Sequence, residues 1–183
     1  MIKLPLTLEH ALLGFLVQRP MHAYEMYQRL QETSELGLVW HLKQSQLYAL
    51  LGRLEEAGYI TTVTEPQGTR PPRKVLHLTP NGRTTFSDWL RTPVVHGRDF
   101  RQEFLAKLYF AEDDPLTVAA LLDGQRNACQ DWLTDLHAQA TATTPEHTYD
   151  WLVLQFRIGQ MEAISAWLDT CALTLALPQP VLT

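Results

Sequence analysis

The sequence predicts a mainly α protein in which one short β hairpin interrupts a helical chain. Three observations lead there. Apolar residues recur at helical spacing through most of the chain. Two β-branched-rich segments, YITTVTE (59–65) and RKVLHL (73–78), flank the Gly- and Pro-containing loop PQGTRPP. After TPVVHG (92–97) every long segment is helical in period. The resulting order is three helices, a hairpin and a further helix, followed by a purely helical half. The first part is the order of a winged helix-turn-helix.

The elements follow from local signals. The first helix spans about Thr7–Gln18, with Leu8, Leu12, Phe15 and Leu16 on one face, and Pro20 stops it. The second spans about Ala23–Glu35, with Tyr24, Tyr27 and Leu30 as its expected buried stripe. The third spans about Ser45–Ala57: Leu47, Leu50, Leu51 and Leu54 face inward, Ser45 or Gln44 opens it, and Gly58 stands where a terminating glycine belongs. Thr79-Pro80 pairs an N-cap with proline at the first helical position and opens a fourth helix through Arg91. Helices over about Arg98–Ala111, Pro115–Ala138 and Thr148–Leu175 complete the chain. Pro93 to Gly97 marks the expected boundary, giving a winged helix-turn-helix DNA-binding domain over 1–92 and a helical dimerisation domain over 98–177.

Charge distribution separates the halves. The 183 residues carry a net charge of −5. Residues 1–91 hold ten Lys and Arg against eight Asp and Glu, or +2, while residues 92–183 hold five against twelve, or −7. Positive charge concentrates in 68-GTRPPRKVLHLTPNGR-83, where no acid occurs. An asymmetry of this kind points to a polyanionic partner for the first half.

In a helix-turn-helix, the second helix of the pair reads bases with residues near its N-terminus. Here that helix exposes Gln44, Ser45, Gln46, Tyr48, Ala49 and Arg53. Gln and Ser can pair with base edges and Ala49 can touch a thymine methyl; Tyr48 and Arg53 suit phosphates, which orient without reading sequence. Gly52 in mid-helix costs about 1 kcal/mol against alanine, which a close backbone approach would explain. Arg70, Arg73 and Lys74 form the expected wing contact to phosphate or minor groove. The competing reading is an edge strand protected by charge.

The last helix repeats apolar residues at Trp151, Leu154, Ile158, Met161, Leu168 and Leu175 in a 3-4 spacing, with Ser165 and Ala172 between. This reads as a coiled-coil seam for a second copy, against the alternative of a core helix within one chain. Trp132, Trp151 and Trp167 are the candidate pocket for a small aromatic effector, against a plain role as core or interface anchors.

The motifs LEHALLGFLVQRPMHAYEMYQRL (8–30), QLYALLGRLEEAGYI (46–60) and RPPRKVLHLTPNGR (70–83), with Trp40, resemble the PadR family of bacterial transcriptional regulators. RDFRQEFLAKLYFA (98–111) onward is similar to the helical C-terminal domain of its longer subfamily, the virulence-activator-alpha type. The resemblance implies a homodimer held by its C-terminal helices; a cytoplasmic location is expected because Glu9 and His10 break the N-terminal apolar stretch and no small-residue cleavage site follows. Such a dimer binds a palindromic operator in double-stranded DNA, usually as a repressor, and is relieved by a small aromatic effector. This chain departs from the family pattern at Ala23, at Val75 and Leu76, and at Gln46 and Ala49. Two rival functions are a winged-helix protein-interaction module and a small-molecule-binding module without DNA regulation.

Enzyme chemistry finds no support. There is no Gly-rich phosphate loop, no Gly-x-Ser-x-Gly and no Cys/His dyad. The seven histidines show no zinc-ligand spacing, and no cofactor or metal is expected. Cys129 and Cys171 are too few for a disulfide framework. No apolar run reaches membrane-spanning length.

Overall fold

The computed structural model describes residues 7–32, 35–67, 70–144 and 146–176. The elements are α1 (Thr7–Gln18), α2 (Ala23–Gln31), α3 (Gln44–Glu56), β1 (Ile60–Gln67), β2 (Arg70–Leu78), α4 (Pro80–Arg91), α5 (Phe100–Ala111), α6 (Pro115–Ala142) and α7 (Thr148–Ala176). One 3-10 turn, Glu35–Leu38, separates α2 from α3, and another, Gly97–Asp99, precedes α5. The fold is a winged helix-turn-helix followed by long helices. No helix among the described residues is long and apolar enough to cross a membrane.

Two compact units divide the chain. The first holds the described residues up to Thr92 together with Arg98–Glu112; the second holds Pro93–Gly97 with the described residues from Asp113 onward. The expected division placed the α5 segment with the later helices, whereas α5 packs on α1 and α4. Gly14 makes this possible, because a Cβ there would lie 2.6 Å from the Phe110 ring. Phe110 instead meets Phe15 and Phe86 edge-on, both at 5.5 Å between ring centroids. Lys107, also on α5, is fully buried; it pairs with Glu103 at 2.8 Å and donates to the Thr92 carbonyl at the end of α4. Burial pushes its ammonium pKa down, against the opposing hold of Glu103.

α3 starts one residue ahead of the expected Ser45, with Lys43 as N-cap. The Gln46 side-chain oxygen accepts from the Lys43 amide at 3.0 Å, satisfying a donor that an open helix end leaves free. The helix closes on Gly58, whose φ of +74° suits only glycine without strain, and the Tyr59 amide reaches back to the Leu54 carbonyl at 2.9 Å. Gly52 has open space around its Cβ position, so no close backbone approach within the chain accounts for it.

β1 and β2 pair antiparallel from Ile60↔Leu78 through Glu65↔Arg73 to Gln67↔Arg70, with an irregularity between Glu65 and Gln67. Met21 adds a one-residue bridge to Leu76, and His22 Nδ1 lies 3.0 Å from the Lys74 carbonyl oxygen. The base of the hairpin is thus tied to the start of α2. At the same base, Thr79 caps α4: its hydroxyl oxygen accepts from the Gly82 amide at 3.0 Å, and its hydroxyl reaches the Gly58 carbonyl at 2.8 Å. Gly82 lets α4 approach the strand, since a Cβ there would sit 2.1 Å from the Tyr59 carbonyl oxygen.

In the second unit α6 and α7 form a helical hairpin. Asp114 caps α6 by accepting from Leu116 and Thr117 amides at 3.1 and 3.3 Å. The Val94 amide donates to the buried Gln125 side chain at 2.7 Å, docking the 93–97 segment on α6. Leu154, Ile158 and Met161 of α7 pack with Leu136, Trp132 and Leu133 of α6, and Leu168 is fully buried. These are four of the six residues expected to hold a second copy; their seam is filled from within the chain. Trp151 and Leu175 remain partly exposed. A 3-4 repeat specifies a two-helix seam without saying whose helix completes it, and α6, at 28 residues, nearly matches α7 at 29.

Candidate nucleic-acid interface

The leucine face of α3 divides its outward residues into two flanks. Leu47, Leu50, Leu51 and Leu54 are buried, which turns Gln44, Ser45, Tyr48 and Gly52 outward and leaves all four exposed. Gln46, Ala49 and Arg53 lie on the other flank, along a cavity they share with Trp40. The six residues expected to meet DNA are all exposed and span both flanks. Gln44, Ser45 and Tyr48 present an uncharged polar N-terminal half, and no acid occurs in the first turn. Glu55 and Glu56 stand exposed at the opposite end, so a polyanion is accepted at the N-terminus and repelled at the C-terminus.

Arg53 serves a different partner from the one expected. Its guanidinium lies 2.8 Å from the carboxylate of Glu9 on α1, which is 1% exposed. Burial pushes the Glu9 carboxyl pKa up, and Arg53 opposes that shift. Nothing local to Glu9 in the sequence announces a partner 44 residues away.

The wing completes a second surface. Arg73 and Lys74 are exposed and line a groove of about 590 Å³ with His22, Tyr24, Gln28 and Tyr48. The groove therefore joins the start of α2, the outward flank of α3 and the hairpin. Arg70 pairs with Gln67 through the backbone register, but its side chain lies outside the described residues. Tyr24 is 56% exposed in this groove, where a buried position was expected. α2 ends at Gln31 and buries Met26 and Leu30, one turn apart, which rotates Tyr24 outward. Gln28 and His22 were not anticipated either.

The three tryptophans of the expected effector pocket do not meet in a common cavity among the described residues. Trp132 packs beside the α6–α7 core, while Trp151 borders a small cleft with Ala140, Thr143 and Thr148. Trp151 and Trp167 stand sixteen residues apart on one helix, or about 24 Å along its axis.

An exposed polar helix N-terminus beside a basic hairpin, on a three-helix scaffold, defines a winged-helix protein of the nucleic-acid-binding kind. Residues 12–88 match the family described as "Transcriptional regulator PadR-like family", and residues 100–176 match "Virulence activator alpha C-term". The chain belongs to the PadR-like family of transcriptional regulators, which are not enzymes. The negative transcriptional regulator PadR of Bacillus subtilis is 35% identical over 104 residues, covering 57% of this chain and 56% of that protein. A probable transcriptional regulator of Mycobacterium tuberculosis is 27% identical over 89 residues, covering 49% and 46%. The chain thus spans about half the length of the curated relatives it matches. Among solved structures, Bacillus subtilis PadR in complex with operator DNA aligns at 26% identity, covering 90% of this chain and 95% of that one, with a TM-score of 0.46. The same protein in complex with p-coumaric acid aligns at 24% identity over 94% and 97%, with a TM-score of 0.39.

Proposed function

We propose that the protein is a cytoplasmic, sequence-specific transcriptional repressor that binds a palindromic operator as a homodimer and is released by a small-molecule effector. The observation that carries DNA binding is the groove uniting Tyr24, Tyr48, Arg73 and Lys74 beside the exposed Gln44–Ser45 end of α3. Inserted in a major groove, that end brings Gln44 and Ser45 to base edges, while Tyr24, Tyr48 and the wing cations bond the flanking phosphates. Repression is supported by family membership and by the negative regulator of Bacillus subtilis among its relatives.

Dimerisation uses the face of α7 opposite α6. Tyr149, Leu152, Phe156, Gly159, Ala163, Ala166, Thr170 and Leu173 follow a second 3-4 spacing, and all are exposed in the single chain. Phe156 and Leu173 are 72% and 71% exposed, a high value for large apolar side chains. Their small neighbours permit close helix approach. A homodimeric helix-turn-helix protein meets half-sites one DNA turn apart, or a multiple of it.

The test is fluorescence anisotropy with duplexes from the promoter of the protein's own gene, against a scrambled duplex. A preference of at least a thousandfold at physiological salt supports the reading. Equal affinity for both duplexes refutes sequence-specific regulation. No binding to either leaves the two rival functions, protein interaction and ligand carriage.

A further inference from the structure

The Glu9–Arg53 pair joins a side chain that is 1% exposed to one that is 55% exposed. Glu9 sits on α1 and Arg53 on α3, both in the first unit. Arg53 is the sole polar partner of that carboxylate among the described residues. As a source of stability the pair is poor. Desolvation disfavours the ionised carboxylate, and an apolar residue of similar volume often replaces a buried charge without loss. What the carboxylate accomplishes is geometric. Nη2 of Arg53 lies 2.8 Å from Oε1 of Glu9, and the guanidinium makes no other ion pair or hydrogen bond among the described residues. One nitrogen is thus anchored on a buried group, while the remaining N–H donors stay open on an exposed face. Arginine gives up rotamer freedom whenever it is fixed, so a contact made by a side chain already fixed keeps more of its binding energy.

We propose that Glu9 is a positioning residue for DNA binding, holding Arg53 ready for a phosphate on the groove wall opposite the wing. The reason is the fit of a helix in a groove. An α-helix with its side chains is about 10–12 Å across, and the major groove is about 12 Å wide. Both flanks of α3 therefore come close to a sugar-phosphate wall when its outward face meets the bases. Tyr48, Arg73 and Lys74 serve one wall. Arg53 shares the other flank with Gln46 and Ala49, and it is the one cation on α3. Released from Glu9, it would have the exposed Glu56, three residues on along the same helix, as a competing partner. The buried carboxylate keeps the guanidinium from that fate. A phosphate contact carries no sequence information, so its loss weakens binding to operator and scrambled duplex alike. This inference rests on the DNA-binding reading above, and adds to it a residue that never meets the DNA itself.

The experiment compares the full native chain with Glu9→Leu, Arg53→Ala and the double variant, by anisotropy with the promoter duplex and its scrambled counterpart. A urea titration accompanies each. Glu9→Leu should unfold at the same or a higher urea concentration than the native chain, yet bind both duplexes about fivefold or more weakly. Arg53→Ala should weaken binding about tenfold or more, and the double variant should bind no more weakly than Arg53→Ala. A merely structural Glu9 would instead lose binding only in step with stability. Losses that multiply in the double variant place the action of Glu9 elsewhere and overturn the proposal. Glu9→Leu that binds as the native chain does, or tighter, overturns it too, since the carboxylate then only cancels the charge of the arginine. Should Glu9→Leu fail to fold, Arg53→Lys decides, at a position exposed enough to accept it. Lysine keeps the charge and the pair with Glu9 but offers no second edge of the fork. It should lose as much affinity as Arg53→Ala, and native affinity in Arg53→Lys overturns the proposal. A native chain that binds neither duplex removes the function proposed above and this inference with it; every other failure touches this inference alone.

Discussion

Replacing Arg73 by alanine should reduce the salt dependence of DNA binding more than its specificity. Arg73 sits on β2 opposite Glu65, exposed, at the edge of the groove that includes Tyr48. Each phosphate neutralised releases condensed counterions and contributes about −0.9 to the slope of log K against log salt. A dimer loses two such contacts, so the slope should become less negative by about 1.8. Between 50 and 200 mM salt, a fourfold change, the advantage of the native protein over Arg73→Ala should therefore shrink roughly tenfold. The discrimination between operator and scrambled duplex should stay nearly constant, because phosphate contacts carry little sequence information. The assay is anisotropy titration with operator and scrambled duplexes at four or five salt concentrations. A slope indistinguishable from the native value would falsify the wing contact. A large loss of discrimination with an unchanged slope would show that Arg73 reads bases.

Other perturbations test the scaffold. Ala163→Glu, in the middle of the exposed α7 face, should convert the dimer to monomer in sedimentation while leaving helical content intact; a stable dimer would place the interface elsewhere. Gly82→Ala should destabilise the first unit by about 2 kcal/mol in urea titration, since its Cβ meets the Tyr59 carbonyl oxygen. Lys107→Met should cost about 3 kcal/mol by leaving Glu103 without its buried cation. Adding Glu103→Gln should recover part of that loss, and a double variant no better than the single one argues against the pair. Glu9→Gln tests the sign of a pKa shift. A raised carboxyl pKa means the folded chain holds the proton more tightly than the unfolded chain. That contribution is complete below the unfolded value and is lost as pH rises through the folded value. The variant should therefore gain thermal stability relative to the native protein as pH rises from the acid range to neutrality, and a constant difference refutes the shift.

The sequence revealed most where one signal acted on its own neighbourhood. Thr79-Pro80, Gly58 and the four leucines of α3 each act within one turn, and each stands where periodicity and capping placed it. It revealed less where the partner was distant. The Glu9–Arg53 pair, the Lys107 clamp on Thr92 and Phe110 over Gly14 all join segments far apart in the chain. α7 shows the limit most clearly. Its large residues advertise one seam, which α6 fills, while Gly159, Ala163 and Ala166 dilute the second stripe until only exposure in three dimensions brings it out. The proposed DNA-facing groove was hidden similarly: Tyr24 reads as core from its spacing, yet Met26 and Leu30 take the buried face of α2 and leave it exposed.

The bridge from Met21 to Leu76 turns the hairpin into a lever with a fixed fulcrum. Beyond that point the strand runs only to Arg70, an arm of about 20 Å at the rise of an extended chain. That is a little more than half the pitch of a DNA duplex. With α3 in one major groove, as proposed, an arm of that length spans the distance to the backbone of the adjoining minor groove. On the proposed reading this arm sets how far along the duplex the phosphate contacts of each subunit extend, and lengthening the hairpin by one cross-strand residue pair would extend that footprint outward without changing the bases read at its centre.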